Sequence, residues 1–161
     1  MYVPFEEMPY SSRIWIYQSD RPFTKDETTW IADTLRAFCD GWNTHGQHMA
    51  TSFEIVHHQV IILSVDERSF PASGCSIDSS VRVLREIENT LGLNLLDAGK
   101  IAVVHQDSLS VSKLSGIKAE VLAGNILPES KIIDPTVSKK ADLMENWIIT
   151  AKDSWLKRYF N

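Results

Sequence analysis

Two alternating periodicities along the first two-thirds of the chain predict an α+β fold with the element order βαββαβ. Three observations carry this expectation. Runs rich in β-branched and aromatic residues recur at 13–18 (RIWIYQ), 52–56 (SFEIV), 60–65 (VIILSV) and 100–105 (KIAVVH), and such runs suit the pleated surface of a strand. Between them, apolar residues return at spacings of three and four, which places them on one helix face. The second and third runs are separated by His57-His58-Gln59 alone, a connection short enough to make them an antiparallel hairpin.

Each element follows from its residues. In the first strand, Ile14 and Ile16 are expected to face the helices, with Arg13, Trp15 and Tyr17 on the other side. Thr24 with Glu27 three residues on forms a capping box for a helix whose buried face is Ile31, Leu35, Phe38 and Trp42, with Gly46 beyond its end. The strand at Val60 is the most continuously apolar, so it should be central and antiparallel to both neighbours. Ile77, Val81, Leu84, Ile87 and Leu91 mark a second helix closed by Gly92, and Lys100–His105 supplies the fourth strand. Over residues 1–107 this is the order of a ferredoxin-like antiparallel sheet.

The remainder, 108–161, is expected to be a mostly helical extension packed on that core, making 1–161 a single domain. Val111, Leu114, Ile117 and Val121 allow a helix ending near Gly124. Lys131–Asp134 reads as a short strand stopped by Pro135. Met144, Trp147, Ile148, Ala151, Trp155 and Tyr159 could share one face of a last helix, or Thr150 with Asp153 could cap a shorter one.

Composition removes several functions. Of 161 residues, 43% are apolar and 23% charged, close to the globular average. A net charge of −5 argues against nucleic acid, whose binding needs clustered Lys and Arg to neutralise phosphates. Trp15 and Tyr17 could stack bases on an open sheet face, but no Gly-aromatic motif accompanies them. No apolar run spans a bilayer, and the start MYVPFEEMPY is acidic where a signal peptide is basic. The expectation is a cytoplasmic protein with no membrane insertion and, with two cysteines only, no disulfide framework.

The stretch PASGCSIDSSV at 71–81 is the candidate site. An antiparallel sheet brings the end of the third strand, the start of the second helix and the loop after the first helix to one edge. That edge would gather Asp66, Glu67, Cys75, Ser76 and Asp78 with His45 and His48, and His105 nearby, while His57 and His58 fall at the opposite edge. A binding module would use the free N–H groups of the helix start, with the hydroxyls of Ser73, Ser76, Ser79 and Ser80 as extra donors, to hold a small anion or a partner's carboxylate through Ser73, Gly74, Cys75, Ser76, Asp78 and Ser79, with Arg68 and Arg82 near. The alternative is a thiol enzyme with Cys75 as nucleophile and His45 or His105 as base. Cys39, beside the buried position Phe38, belongs to the core. Without CxxC or HExxH spacing no metal is expected, and no cofactor.

The segments Trp42-Asn43-Thr44-His45-Gly46, Ser52-Phe53-Glu54-Ile55, Gly74-Cys75-Ser76-Ile77-Asp78 and Asp153-Ser154-Trp155 with Arg158 resemble a family of small uncharacterised bacterial proteins often given the automatic label "ABC transporter ATPase". The resemblance covers nearly the whole chain and implies kinship without an activity. The chain departs from the family pattern at His57-His58-Gln59, where a Tyr-Asn turn is commoner, and at Ile149-Thr150, where a Pro is usual. Val60–Glu67 resembles a Walker B strand, but no GxxxxGK[ST] loop exists to cradle phosphates. ATP hydrolysis is therefore not expected.

Overall fold

Val60–Val65 is buried at all six positions, and a strand buried on both faces must be covered from both sides. The structure, a computed structural model, describes residues 1–160 and shows what covers it. A first antiparallel sheet has the order β1 (Arg13–Gln18), β5 (Val60–Val65), β4 (Thr51–Val56). Ile61, Leu63 and Val65 pack against α1 (Lys25–Gly41) and α2 (Gly74–Leu91) through Ile31, Leu35, Leu84 and Ile87. Val60 and Ile62 meet a second sheet through Ala102, Leu109 and Ile133.

The second sheet is also antiparallel, in the order β7 (Leu109–Lys113), β6 (Lys100–Val104), β8 (Lys131–Ile133), β9 (Ile148–Thr150). Its far face, Ile101, Val103 and Ile132, is covered by Ile117 of α3 (Ile117–Leu122), Ile126 and Leu156 of the C-terminal 3-10 turn Trp155–Tyr159. The molecule thus has four layers: a helix pair, two stacked sheets and an outer layer of short turns. Each fully buried Ile or Leu in these layers is worth about 1.5–3 kcal/mol relative to exposure.

Several expectations hold. β5 is central and antiparallel to both neighbours, in the register Ile16↔Ile62 and Glu54↔Ile62. The capping box forms, with Thr24 Oγ1 accepting from Glu27 N and Glu27 accepting from Thr24 N. Gly92, at φ 66°, ends α2 in the left-handed conformation that glycine takes without a Cβ clash.

The ferredoxin-like closure does not form. In such a sheet β6 would be an edge strand laddered to β1, with one hydrogen-bonded neighbour. β6 is buried on both faces and has two neighbours, β7 and β8, so it centres a sheet of its own. Side chains replace the ladder: Gln18 Nε2 donates to Lys100 O at 3.3 Å, and Lys100 Nζ donates back to Gln18 O. The free edge of β1 is taken by residues 138–139, with Ile14 N donating to Ser138 O at 2.9 Å.

The two faces of β1 are the reverse of the expectation. Trp15 and Tyr17 pack with the helices, and Ile14 and Ile16 face the second sheet. Among the described residues, the first sheet therefore presents no open aromatic face.

Among the described residues, the extension from 108 onward combines three short strands with short α-helical and 3-10 segments in place of long helices. Val111, expected on a helix face with Leu114, Ile117 and Val121, lies in β7 instead, and the helix is confined to α3. The last helix shrinks to α4 (Asp142–Glu145), because Ile148–Thr150 pairs with Lys131–Ile133, and Thr150 begins only a short 3-10 turn. The strand stopped before Pro135 is present as β8.

Candidate functional site

The cleft beside Cys75 is built where α1 ends. Trp42 caps that end and is buried; its indole Nε1 donates to Ser76 O at 2.8 Å, and its ring contacts Phe38 at a centroid distance of 4.9 Å. The chain then forms a hairpin of β2 (Asn43–Thr44) and β3 (Gln47–His48), which the sequence reading missed. Its two loop residues, His45 and Gly46, have φ of 50° and 76°, as a type I′ turn requires. The signal was there in Asn43-Thr44-His45-Gly46, since Asn43 Oδ1 accepts from Gly46 N at 3.1 Å.

One side chain fixes this hairpin to the start of α2. Thr44 Oγ1 donates to Pro71 O at 3.1 Å and accepts from Ser73 N at 3.0 Å. The result is a cavity of about 530 Å³ whose lining includes Trp42, Asn43, His45, Ser73, Cys75 and Ser79. That volume lies in the range of small-ligand sites. The expected meeting of His45 with Cys75 at one edge of the sheet occurs.

Hydrogen-bond accounting narrows what the cleft offers. The Ser76 hydroxyl donates to Ser73 O at 2.8 Å, Ser79 to Cys75 O at 3.0 Å and Ser80 to Ile77 O at 2.6 Å. These hydroxyl protons, expected to serve a ligand, hold the helix's own carbonyls. Ser73 Oγ accepts from Ser76 N, Ile77 N donates to Ser73 O, and Ala72 N donates to the Glu67 carboxylate. Among the described residues, only Gly74 N and Cys75 N at the helix start keep no partner, out of the four N–H groups every helix leaves unpaired. Arg68 is not free: it forks onto Asp66, with Nη2 to Oδ2 at 2.7 Å, and this guanidinium bond holds the Asp66 carboxyl below its usual range. Arg82 Nη2 donates to Oγ of the lining residue Ser79 at 3.2 Å.

The remaining candidates fall elsewhere. His105 does not line the cleft; it follows β6 in the second sheet, with Nε2 2.7 Å from Ser110 Oγ. It was expected nearby only because β6 was placed in the first sheet. Asp78 and Gly74 are exposed and lie outside the cavity lining. His48 is exposed on β3, and His57 and His58 turn the β4–β5 hairpin at the opposite end. Cys39 is fully buried, and burial pushes its thiol up to about 12. Asp66 and Glu67, the Walker B-like pair, serve Arg68 and the Ala72 amide. Among the described residues no three His, Cys, Asp or Glu side chains group as a metal site, and no helix is long and apolar enough to cross a membrane.

A larger cavity, about 690 Å³, lies between the second sheet and the C-terminal turns and is lined by Asp153, Trp155 and Arg158 among others. It was missed because Trp155 and Tyr159, which also line it, were assigned to one face of a helix. Compared with protein-family models, with curated proteins and with solved structures, the chain matches none.

Proposed function

We propose that the protein is a cytoplasmic binding module that holds a small anion, or a partner's carboxylate, in the cleft at the start of α2. The observation that carries this reading is the pair of unpartnered amides, Gly74 N and Cys75 N, at the positive end of an 18-residue helix beside a cavity that also takes the His45 imidazole. Arg82 adds a positive charge through Ser79. The half that carries the cleft, β1, β5 and β4 with α1 and α2, has the strand order a ferredoxin-like unit gives its first three strands. Kinship with the small bacterial family named above belongs to the same proposal, and neither nucleic acid nor a cofactor enters it.

Titration of ¹⁵N-labelled protein with inorganic phosphate tests the reading. The Gly74 and Cys75 amide resonances should shift along one saturable curve, and His45→Ala or Arg82→Gln should weaken the apparent affinity several-fold. Phosphate that leaves both amides unmoved refutes it.

A second reading rests on one observation: the exposed Cys75 and His45 line the same cavity. In it Cys75 is a nucleophile and His45 its base, with His105 no longer a candidate. Alkylation by iodoacetamide at pH 7 much more than about tenfold faster than a free thiol, abolished by Cys75→Ser and slowed by His45→Ala, would favour this over the module.

A further inference from the structure

The 690 Å³ cavity has an apolar floor of Ile101, Ile132 and Ile149, one residue from each of β6, β8 and β9, and an aromatic wall of Trp155 and Tyr159. The floor residues project from the sheet face that the C-terminal turns cover. Its rim is unusually apolar for exposed surface, with Leu114 47% and Trp155 49% accessible. Four charged side chains line it, and three of them are available to a ligand. Arg158 is exposed and lies 4.9 Å from the centre of the Tyr159 ring, and its Nη2 donates to Tyr159 Oη at 2.9 Å. Asp134 accepts from Thr136, and Asp153 accepts from Thr150. Lys100 also contributes to the lining, but its ammonium is bound to the carbonyls of Gln18 and Asn94.

The decisive feature is what these charges do not do. Arg158 forms no ion pair with a carboxylate among the described residues, although two carboxylates line the same cavity. A guanidinium and two carboxylates held apart around an apolar floor complement a molecule with charges of both signs and an apolar body. A simple anion would meet Arg158 but also the two acids; a simple cation would meet the acids but also Arg158. We propose that this cavity binds a small apolar zwitterion, an amino acid or dipeptide with an aliphatic or aromatic side chain. Its carboxylate pairs with Arg158 in the fork geometry that guanidinium favours, its ammonium lies toward Asp134 and Asp153, and its side chain covers the isoleucine floor beside Trp155. The cavity volume falls within the range of sites for such ligands. This site is separate from the Cys75 cleft and stands whether or not that cleft binds an anion.

The test follows tryptophan emission and the melting temperature of the full chain during titration with L-phenylalanine and with L-leucyl-L-phenylalanine. At least one should bind saturably, shift the emission and raise the melting temperature with concentration, as mass action requires for a ligand of the native state. 3-Phenylpropionate, lacking the ammonium, and phenethylamine, lacking the carboxylate, should bind at least tenfold more weakly. Arg158→Gln and Asp153→Asn should each reduce affinity tenfold or more, and Trp155→Phe should remove the emission change while the melting shift remains. The proposal is overturned if neither zwitterion binds the wild-type chain. It is equally overturned if the single-charge analogues bind as well as the zwitterions, a comparison that needs no variant to fold.

Discussion

His58→Gly should stabilise the protein. The turn joining β4 to β5 is closed by Gln59 N donating to Val56 O at 3.1 Å, and its two central residues, His57 and His58, both sit at φ 54°. An L-residue in that region brings Cβ against the following carbonyl, at a cost of roughly 1–2 kcal/mol, with histidine toward the lower end. Glycine removes the clash but adds about 0.4–1 kcal/mol of unfolded-state entropy to be lost on folding. The net gain is therefore at most about 0.6 kcal/mol, or up to about 2 °C in a domain of this size. His58 is the better position, because it is exposed and contributes only its carbonyl, which accepts from Phe23 N at 2.7 Å; the His57 ring lies 6.2 Å from Trp147 and would lose that contact. Urea unfolding followed by tryptophan emission, with His58→Ala as the partner variant, isolates the backbone effect. Glycine should exceed alanine by about 1 kcal/mol, since both lack the imidazole and only alanine keeps the Cβ. Equal stabilities for the two variants, or a glycine variant weaker than the wild type, would refute the strain argument.

Other consequences can be checked with ordinary methods. Of the two thiols, Cys75 should react with a disulfide reagent in the native state at an ordinary rate, whereas Cys39, fully buried with its thiol pushed up to about 12, should react only on unfolding; two fast thiols would contradict the burial of α1's inner face. Glu27 is held down to about 2 chiefly by its bidentate bond from Arg21, then by the Thr24 amide. Its folded value is lower than its unfolded one, so its contribution is full above about pH 4.5 and is lost as the pH falls toward 2. With solvent screening counted this is roughly 0.5–1 kcal/mol, and Glu27→Gln should flatten that part of the stability–pH curve. Lys100→Met should cost about 1–3 kcal/mol, because Gln18 O and Asn94 O lose a buried donor that bridges the two sheets; a neutral result in chemical denaturation would show that the ammonium contributes nothing to sheet stacking.

Much of the helix-bearing half was legible because its signals are local. Thr24 and Glu27 announce a cap, His57-His58-Gln59 a tight hairpin, and the unbroken apolar run at Val60 a central strand. The gathering of His45 with Cys75 then follows from antiparallel topology. Which face of β1 meets the helices was not legible, since a strand between two apolar layers carries no polar side to orient it. Trp15 and Tyr17, large but bearing polar atoms, looked like the outer face and became the inner one. β6 carried a readable warning in Ile101-Ala102-Val103, apolar on both sides, which suits the centre of a sheet better than its edge. The serine hydroxyls at α2 were read as free donors because sequence cannot show that Ser76, Ser79 and Ser80 donate back to their own helix.

The C-terminal third shows how a true period can mislead. Met144, Trp147, Ile148, Ala151, Trp155 and Tyr159 fit one helix face, but a helix burying that face would hide Met144 and Trp155. Met144 is instead 71% and Trp155 49% accessible, while Leu156, off the expected face, is fully buried. Non-local pairing decided the outcome. Lys131–Ile133 needed a second neighbour beyond β6, and Ile148–Thr150 supplied it through the register Ile132↔Ile149. Extending residues 148–150 broke the helix, and the chain beyond them could return across the sheet only in short 3-10 turns, anchored by Ala151 and Leu156. Those anchors leave Trp155 and Arg158 unburied at the mouth of the larger cavity. A helix packed on its Trp155 face would have buried the indole in the core and left no zwitterion site to propose. The strand at Ile148 is thus the structural condition for the binding chemistry proposed for Arg158, and a proline at Ile149 would remove an amide from the edge strand that forms part of the cavity floor.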